Sequence, residues 1–341
     1  MATRYWVGGA GTWDSSSTTH WSATSGGASG ASAPTSADDA RFDTNSGASG
    51  TVTIASGAVC RILTWHSTTL TMGGSANITI YRTFDIETGS IITYSGTMTV
   101  SYGFGTSFIA GVTIPFNVTF VNTGSGNWSP SFYDPVFSGT VTLTSGTIDL
   151  SGFTMTVAQF LSSNSNTRNL TLGTGNFVVT GSGTSFDVST STNFTTDSTG
   201  IIKMSSSSTK TFAGGGASYP TLSQTGTGAL TISGSNTFVS ISNTVQPTTI
   251  TFTSGTTQTF TSNFALSGTA GNLVTIGATT TSAATLSKSS GTISVSHCSI
   301  SYSTATGGAS WKSLLANGNV NGGNNSGWMF TVGAGKFFQL F

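Results

Sequence analysis

Between Thr140 and Val157 apolar side chains come in pairs two residues apart: Val141 and Leu143, Ile148 and Leu150, Met155 and Val157, each pair seven residues after the last. Thr140, Thr142, Thr147, Asp149, Thr154 and Thr156 hold the alternate positions. A two-residue period is that of a strand with one face buried and one solvated. The unit recurs as Val52/Ile54, Leu170/Leu172, Phe177/Val179, Phe186/Val188, Leu230/Ile232, Ile250/Phe252, Val274/Ile276, Ile293/Val295 and Ile300/Tyr302. Ser, Thr, Gly and Asn fill the gaps. Helices are excluded, because the residues that favour them are scarce here and those that favour strands and turns dominate.

An antiparallel sandwich or barrel and a β-solenoid both accommodate many short strands. Three features favour the solenoid, an all-β fold. The gaps lack the two-residue Asn-Gly or Asp-Gly turns that close hairpins. The pairs persist from residue 51 to residue 303 without a change of character, as in a stack where each coil touches only its neighbours. Stacked parallel coils also place like residues above like, and neutral Thr and Ser tolerate that where charges would repel. The last point accounts for the charge content, which is 6% against a usual share of about 25%.

Three strands per coil predict coils of about 21 to 26 residues, about ten to twelve coils, and at ~4.8 Å per coil a body roughly 50 Å long. Between Gly103 and Pro135 the pairing weakens, and Pro115, Pro130, Asp134 and Pro135 suggest a longer loop leaving the coil. Residues 1–50 differ from the body, with Trp6, Trp13, Trp21 and four acids. Residues 304–341 differ too, with Trp311, Trp328 and the closing Phe337-Phe338-Gln339-Leu340-Phe341. A solenoid leaves the edges of its first and last coils unpaired, so these segments are expected to be caps.

Ten Lys+Arg balance ten Asp+Glu, which gives no reason to expect nucleic acid or an anionic surface as partner. The balance hides a polarity. Residues 1–197 hold all ten acids and five Arg, and residues 198–341 hold only Lys203, Lys210, Lys288, Lys312 and Lys336. No apolar run approaches a membrane span and no signal-peptide core follows Met1, so the chain is expected to be made in the cytoplasm. Cys60 and Cys298 lie far apart along the repeat and are expected to be buried free thiols.

Candidate chemistry is sparse. Two carboxylates facing one sugar are the usual requirement of a glycosidase, yet Asp85, Glu87, Asp134, Asp149, Asp187 and Asp197 follow no shared spacing. His20, His66 and His297 are isolated in sequence, and no cofactor motif occurs, since Gly8-Gly9-Ala10-Gly11 has no helix or Lys after it. Asp38, Asp39 and Asp43 are weak calcium candidates, against the commoner fate of capping turns or pairing with Arg4 and Arg41. Trp128, Phe132 and Tyr133 are candidate sugar-stacking residues, against packing in the core. Thr-x-Thr repeats such as Thr97/Thr99 and Thr140/Thr142 suit ice binding, but Thr is also the commonest neutral strand former here.

The opening Arg4-Tyr5-Trp6-Val7-Gly8-Gly9-Ala10-Gly11-Thr12-Trp13-Asp14, with His20-Trp21-Ser22 and Pro34-Thr35-Ser36-Ala37-Asp38-Asp39, resembles the start of β-solenoid surface proteins of tailed bacteriophages and some bacterial adhesin-like proteins. Leu266-Ser267-Gly268-Thr269-Ala270-Gly271-Asn272, Thr306-Gly307-Gly308-Ala309-Ser310-Trp311 and Asn324-Asn325-Ser326-Gly327-Trp328-Met329-Phe330 are similar to the final coils of that group. The resemblance implies a right-handed parallel β-helix on a virion surface, of fibre, spike or head-decoration type, with no catalytic residue. The expected function is accordingly non-enzymatic and structural, with capsid or tail proteins as partners and trimerisation by analogy alone. Trp6, Trp13, Trp21, Trp311, Trp328, Phe337, Phe338, Leu340 and Phe341 are the candidate partner contacts, since buried aromatics dominate interface energies. The alternatives are an adhesin or depolymerase acting on host polysaccharide and, more remotely, an ice-binding solenoid.

Overall fold

The structure, a computed structural model, describes residues 1–101, 106–122 and 126–331. It is an all-β parallel solenoid of about 13 turns with 1% helix, close to the expected ten to twelve coils. The chain forms two compact units, one of Met1–Phe177 with Thr192–Thr195, the other of Val178–Ser191 with Thr196–Phe341.

In the first unit the strands Ile78–Ile86, Thr97–Ser101, Asn117–Val121 and Val136–Asp149 stack in parallel register. Cys60, Ile80, Val100, Phe120 and Leu143 form one column facing inward, while Thr79, Thr99, Thr119 and Thr142 form the outward column beside it. Every inward member is buried. The second unit repeats the arrangement. Phe186, Phe212, Ile232 and Phe252 stack inside, and Thr184, Thr211, Thr231 and Thr251 stack outside. The hydroxyls of Thr231 and Thr251, 20 residues apart, lie 3.1 Å from one another, and longer coils bring Ser254 and Thr280 together across 26 residues. Removing each inward Val, Leu, Ile or Phe from water contributes about 1.5–3 kcal/mol, which is what offsets the ordering of so many turns.

Of the apolar pairs expected inside, only Tyr302 is not buried. The residue lies just past Ile300 at φ 50°, a left-handed turn, so the chain rounds a corner where the strand pattern would have continued. The region 103–135 departs from expectation. Instead of a loop leaving the coil, its described part carries Thr106–Ala110, Asn117–Val121 and Asn127–Pro130, all paired in the stack. Phe108, Ile114, Phe116, Phe120 and Trp128 supply the core there, so large rings replace the usual aliphatic pairs, and Pro130 ends its strand.

Stacking also runs past residues 51 and 303. Thr3–Trp6 pairs with Asp39–Phe42 in parallel and with Trp21–Ser22 in antiparallel, Trp6 lying opposite Trp21. An antiparallel strand laid on the outermost parallel one satisfies the exposed edge of the first coil, which is the function of a cap. Both thiols are free and buried. Burial pushes the Cys60 thiol far above its usual range, with Asp39 adding to the effect, and pushes Cys298 up to about 11. Neither thiol should react with an aromatic disulfide reagent at pH 8 in the native protein, and both should react fully once it is unfolded. A stoichiometric native reaction would place a thiol at the surface.

Candidate functional site

At one corner of the first unit successive coils bring Val121–Asn122, Thr144–Thr147, Ser165–Thr167 and Asn193 together, and with Gly126 they line a groove of about 760 Å³. Its lining is uncharged, made of Asn, Ser, Thr and Gly with Val121. Side chains fasten each coil to the next at this corner. Ser145 Oγ donates to the Asn122 carbonyl at 2.7 Å, Asn166 Nδ2 to the Thr144 carbonyl at 2.9 Å, and Asn193 Nδ2 to the Ser165 carbonyl at 2.9 Å. Gly146 sits at φ 90°, and a Cβ there would lie 2.4 Å from the Asn122 side chain, so the turn admits no other residue.

Arg168 is fully buried behind this wall. Its guanidinium donates to the carbonyls of Asn166 at 2.8 Å, Thr192 at 2.6 Å and Ser162, and lies 5.5 Å from the Phe194 ring centre. A cation inside a solenoid is tolerable when carbonyls take up its donors, and a planar fork serves several at once. Lys210 has the same role in the second unit, its Nζ donating to Ser206 and Gly228 carbonyls at 2.9 and 2.7 Å. Gln224, Asn236, Gln258 and Asn319 are buried as well. Their amides bond corner backbone, as Gln258 Nε2 does to the Gly234 carbonyl at 2.7 Å and Asn319 Nδ2 to the Val295 carbonyl at 2.9 Å. Sequence reading missed this group, although each has a signal. Lys210, Gln258 and Arg168 stand two residues before Phe212, Phe260 and Leu170, at the inward parity.

The sugar-binding candidates separate. Trp128 is fully buried against Phe120, with ring centres 5.1 Å apart, whereas Phe132 is 79% and Tyr133 41% exposed at the corner that follows its strand. The calcium candidates are occupied by other partners. Asp38 accepts hydrogen bonds from the Ala2 amide at 2.7 Å and the Thr35 hydroxyl at 2.7 Å. Burial pushes its carboxyl up, but these bonds and nearby Arg4 outweigh burial and hold it below the usual value. Asp39 pairs with Arg61 at 2.7 Å instead of Arg4 or Arg41, and Asp43 accepts from Ser25 and the Asn45 amide. Among the described residues the side chains grouped closely enough for a metal ion are His66, Asp85 and Glu87.

The tryptophan candidates are packed within the chain. Trp6, Trp13 and Trp21 are fully buried with Phe42, and His20 stacks on Trp6 with ring centres 4.7 Å apart. Trp311 and Trp328 stack on successive coils and meet edge to face at 5.0 Å, beside Phe264. As partner contacts these indoles would first have to be unpacked. Phe337, Phe338, Leu340 and Phe341 lie outside the described residues. The last described coil nevertheless exposes Leu315, Val320 and Met329. Among the described residues no helix is long and apolar enough to cross a membrane. No family model, curated protein or solved structure matches the chain.

Burial pushes the Lys210 ammonium down to about 8 from 10.5. Between those values the unfolded chain holds a proton that the folded one has released, so the cost of burying this charge is full below pH 8 and is relieved as pH rises. Unfolding free energy from urea titrations of the wild type, measured relative to Lys210→Met, should therefore rise by about 1–3 kcal/mol between pH 8 and 10.5. Parallel pH profiles for the two proteins would contradict it.

Proposed function

We propose that this protein is a non-enzymatic structural component of a bacteriophage virion, on tail or head, which displays a neutral solenoid at the particle surface and is anchored through its C-terminal coil. The observation that carries the anchoring is the pattern of exposed apolar side chains. Leu315, Val320 and Met329 are each exposed in the last described coil, whose strands Val320–Asn321 and Trp328–Met329 close the described stack, and the apolar Phe337–Phe341 segment lies further along the sequence. Exposed apolar groups beside an uncovered strand edge favour association with another protein surface. The N-terminal end contrasts with it, its first coil being covered by the antiparallel Trp21–Ser22 strand. Support for a virion in particular comes from the motifs at residues 4–39 and 266–330. The Thr columns support a role as an inert shaft, since they present hydroxyls without a charge pattern to recognise.

Immunogold labelling and gradient purification of particles should place the protein on the virion. Deleting residues 337–341 should remove it from particles while its far-ultraviolet circular dichroism stays unchanged. Absence of the full-length chain from purified particles would defeat the reading, and normal incorporation of the truncated one would defeat the C-terminal anchor.

A second reading, a host-polysaccharide adhesin, is favoured by the uncharged corner groove, whose amides and hydroxyls suit sugar hydroxyls, and by the exposed Phe132 and Tyr133. Retention of uncleaved host polysaccharide, weakened at least tenfold by Asn166→Leu, would support that reading, and release of new reducing ends would indicate a depolymerase instead.

A further inference from the structure

On the outward side of the first unit three titratable side chains meet across two coils. His66 follows the strand Val59–Trp65, and Asp85 and Glu87 flank the end of Ile78–Ile86. Thr64 pairs with Asp85 and Trp65 with Ile86, so the next step along both strands sets His66 beside Glu87. His66 Nε2 lies 2.8 Å from Asp85 Oδ2 and 3.7 Å from Glu87 Oε1, and one ligand atom from each residue falls within 4.8 Å of the other two.

Two further observations bear on this convergence. The chain has ten Asp+Glu and three His in 341 residues, and Glu87 is its sole glutamate. Outward strand positions are mostly Ser and Thr, so three such groups on neighbouring coils stand out from the background pattern. The second observation is Asp85 Oδ1, which is sealed from solvent without a hydrogen-bond partner. A carboxylate oxygen in that position is costly unless a cation compensates it.

We propose that His66, Asp85 and Glu87 form a binding site for a divalent first-row transition metal, Zn²⁺ foremost, that clips one coil to the next. One imidazole nitrogen with two carboxylate oxygens is a donor set suited to zinc, whereas calcium takes oxygen ligands alone. Ligand atoms around tetrahedral zinc, at bonds of about 2.0–2.1 Å, lie roughly 3.3 Å apart. The His66–Asp85 contact therefore opens by about 0.5 Å and the His66–Glu87 contact closes by a similar amount, within the reach of side-chain rotation. Coordination through Nε2 places the neutral ring's proton on Nδ1. Three protein ligands leave a fourth position for water. The site is independent of where the protein is displayed.

The test is calorimetric titration of ZnCl₂ into the untagged full-length protein after chelator treatment and dialysis, with CaCl₂ as control. One zinc per chain is expected, with no heat from calcium, and zinc should raise the thermal midpoint. Glu87→Gln changes a half-exposed side chain and should leave the circular dichroism spectrum intact while weakening zinc at least tenfold; His66→Asn should abolish binding. Absence of zinc binding by the wild type overturns the proposal. So does binding that is equally tight in Glu87→Gln and His66→Asn, which would put the metal elsewhere.

Discussion

Parallel stacking in register is the constraint from which the rest follows. Each residue lies one strand spacing, ~4.8 Å, from its counterparts in the coils above and below, so any choice of side chain is repeated against itself. Inside, repetition is favourable, and columns such as Ile78, Met98, Val118, Val141 and Phe160 fill the core with little variation. Outside, repetition of charge is penalised, and Thr, whose hydroxyl both donates and accepts, avoids the penalty. A 6% charge content is what such a lattice permits.

Corners are where the lattice is weakest, because strand pairing lapses and carbonyls turn inward. Arg168, Lys210, Gln224, Gln258 and Asn319 answer this with side-chain donors that reach corner carbonyls from within the core. At the first coil the solution is different: a strand of opposite direction and a nest of tryptophans close the edge. Exposed Leu315, Val320 and Met329 mark the coil where no comparable closure lies among the described residues. The proposed anchor uses that asymmetry.

Strand parity was legible in the sequence, since Val141/Leu143, Ile148/Leu150 and Met155/Val157 need only a period of two to be assigned inward. Where aromatic rings replaced aliphatic pairs, as at Phe108, Phe120 and Trp128, the same parity was masked by the prolines nearby and the segment resembled a loop. The corner cations escaped notice because a Lys or Arg is ordinarily assigned to solvent, whatever its parity. His66, Asp85 and Glu87 are isolated along the chain, and only a coil of about 20 residues, known once register is known, makes positions 19 and 21 apart into neighbours. The spacing of stacked partners varies, being 17 residues between Trp311 and Trp328 and 28 between Thr257 and Thr285, so spacing alone could not bring them together. The tryptophans of both ends were expected in cap segments and as partner contacts, but their depth depends on the antiparallel return of residues 21–22 and on the Phe264 contact, which no local pattern announces.

The central claim, that stacking in register sets the composition, is tested most directly on the column Thr211, Thr231 and Thr251. Unfolding free energies would be compared between a variant with Glu at all three positions and one with Glu, Lys and Glu. In low salt the all-Glu protein should be less stable than the alternating one by roughly 1–2 kcal/mol, and the difference should largely vanish near 1 M salt. Equal stability of the two variants in low salt would contradict the account.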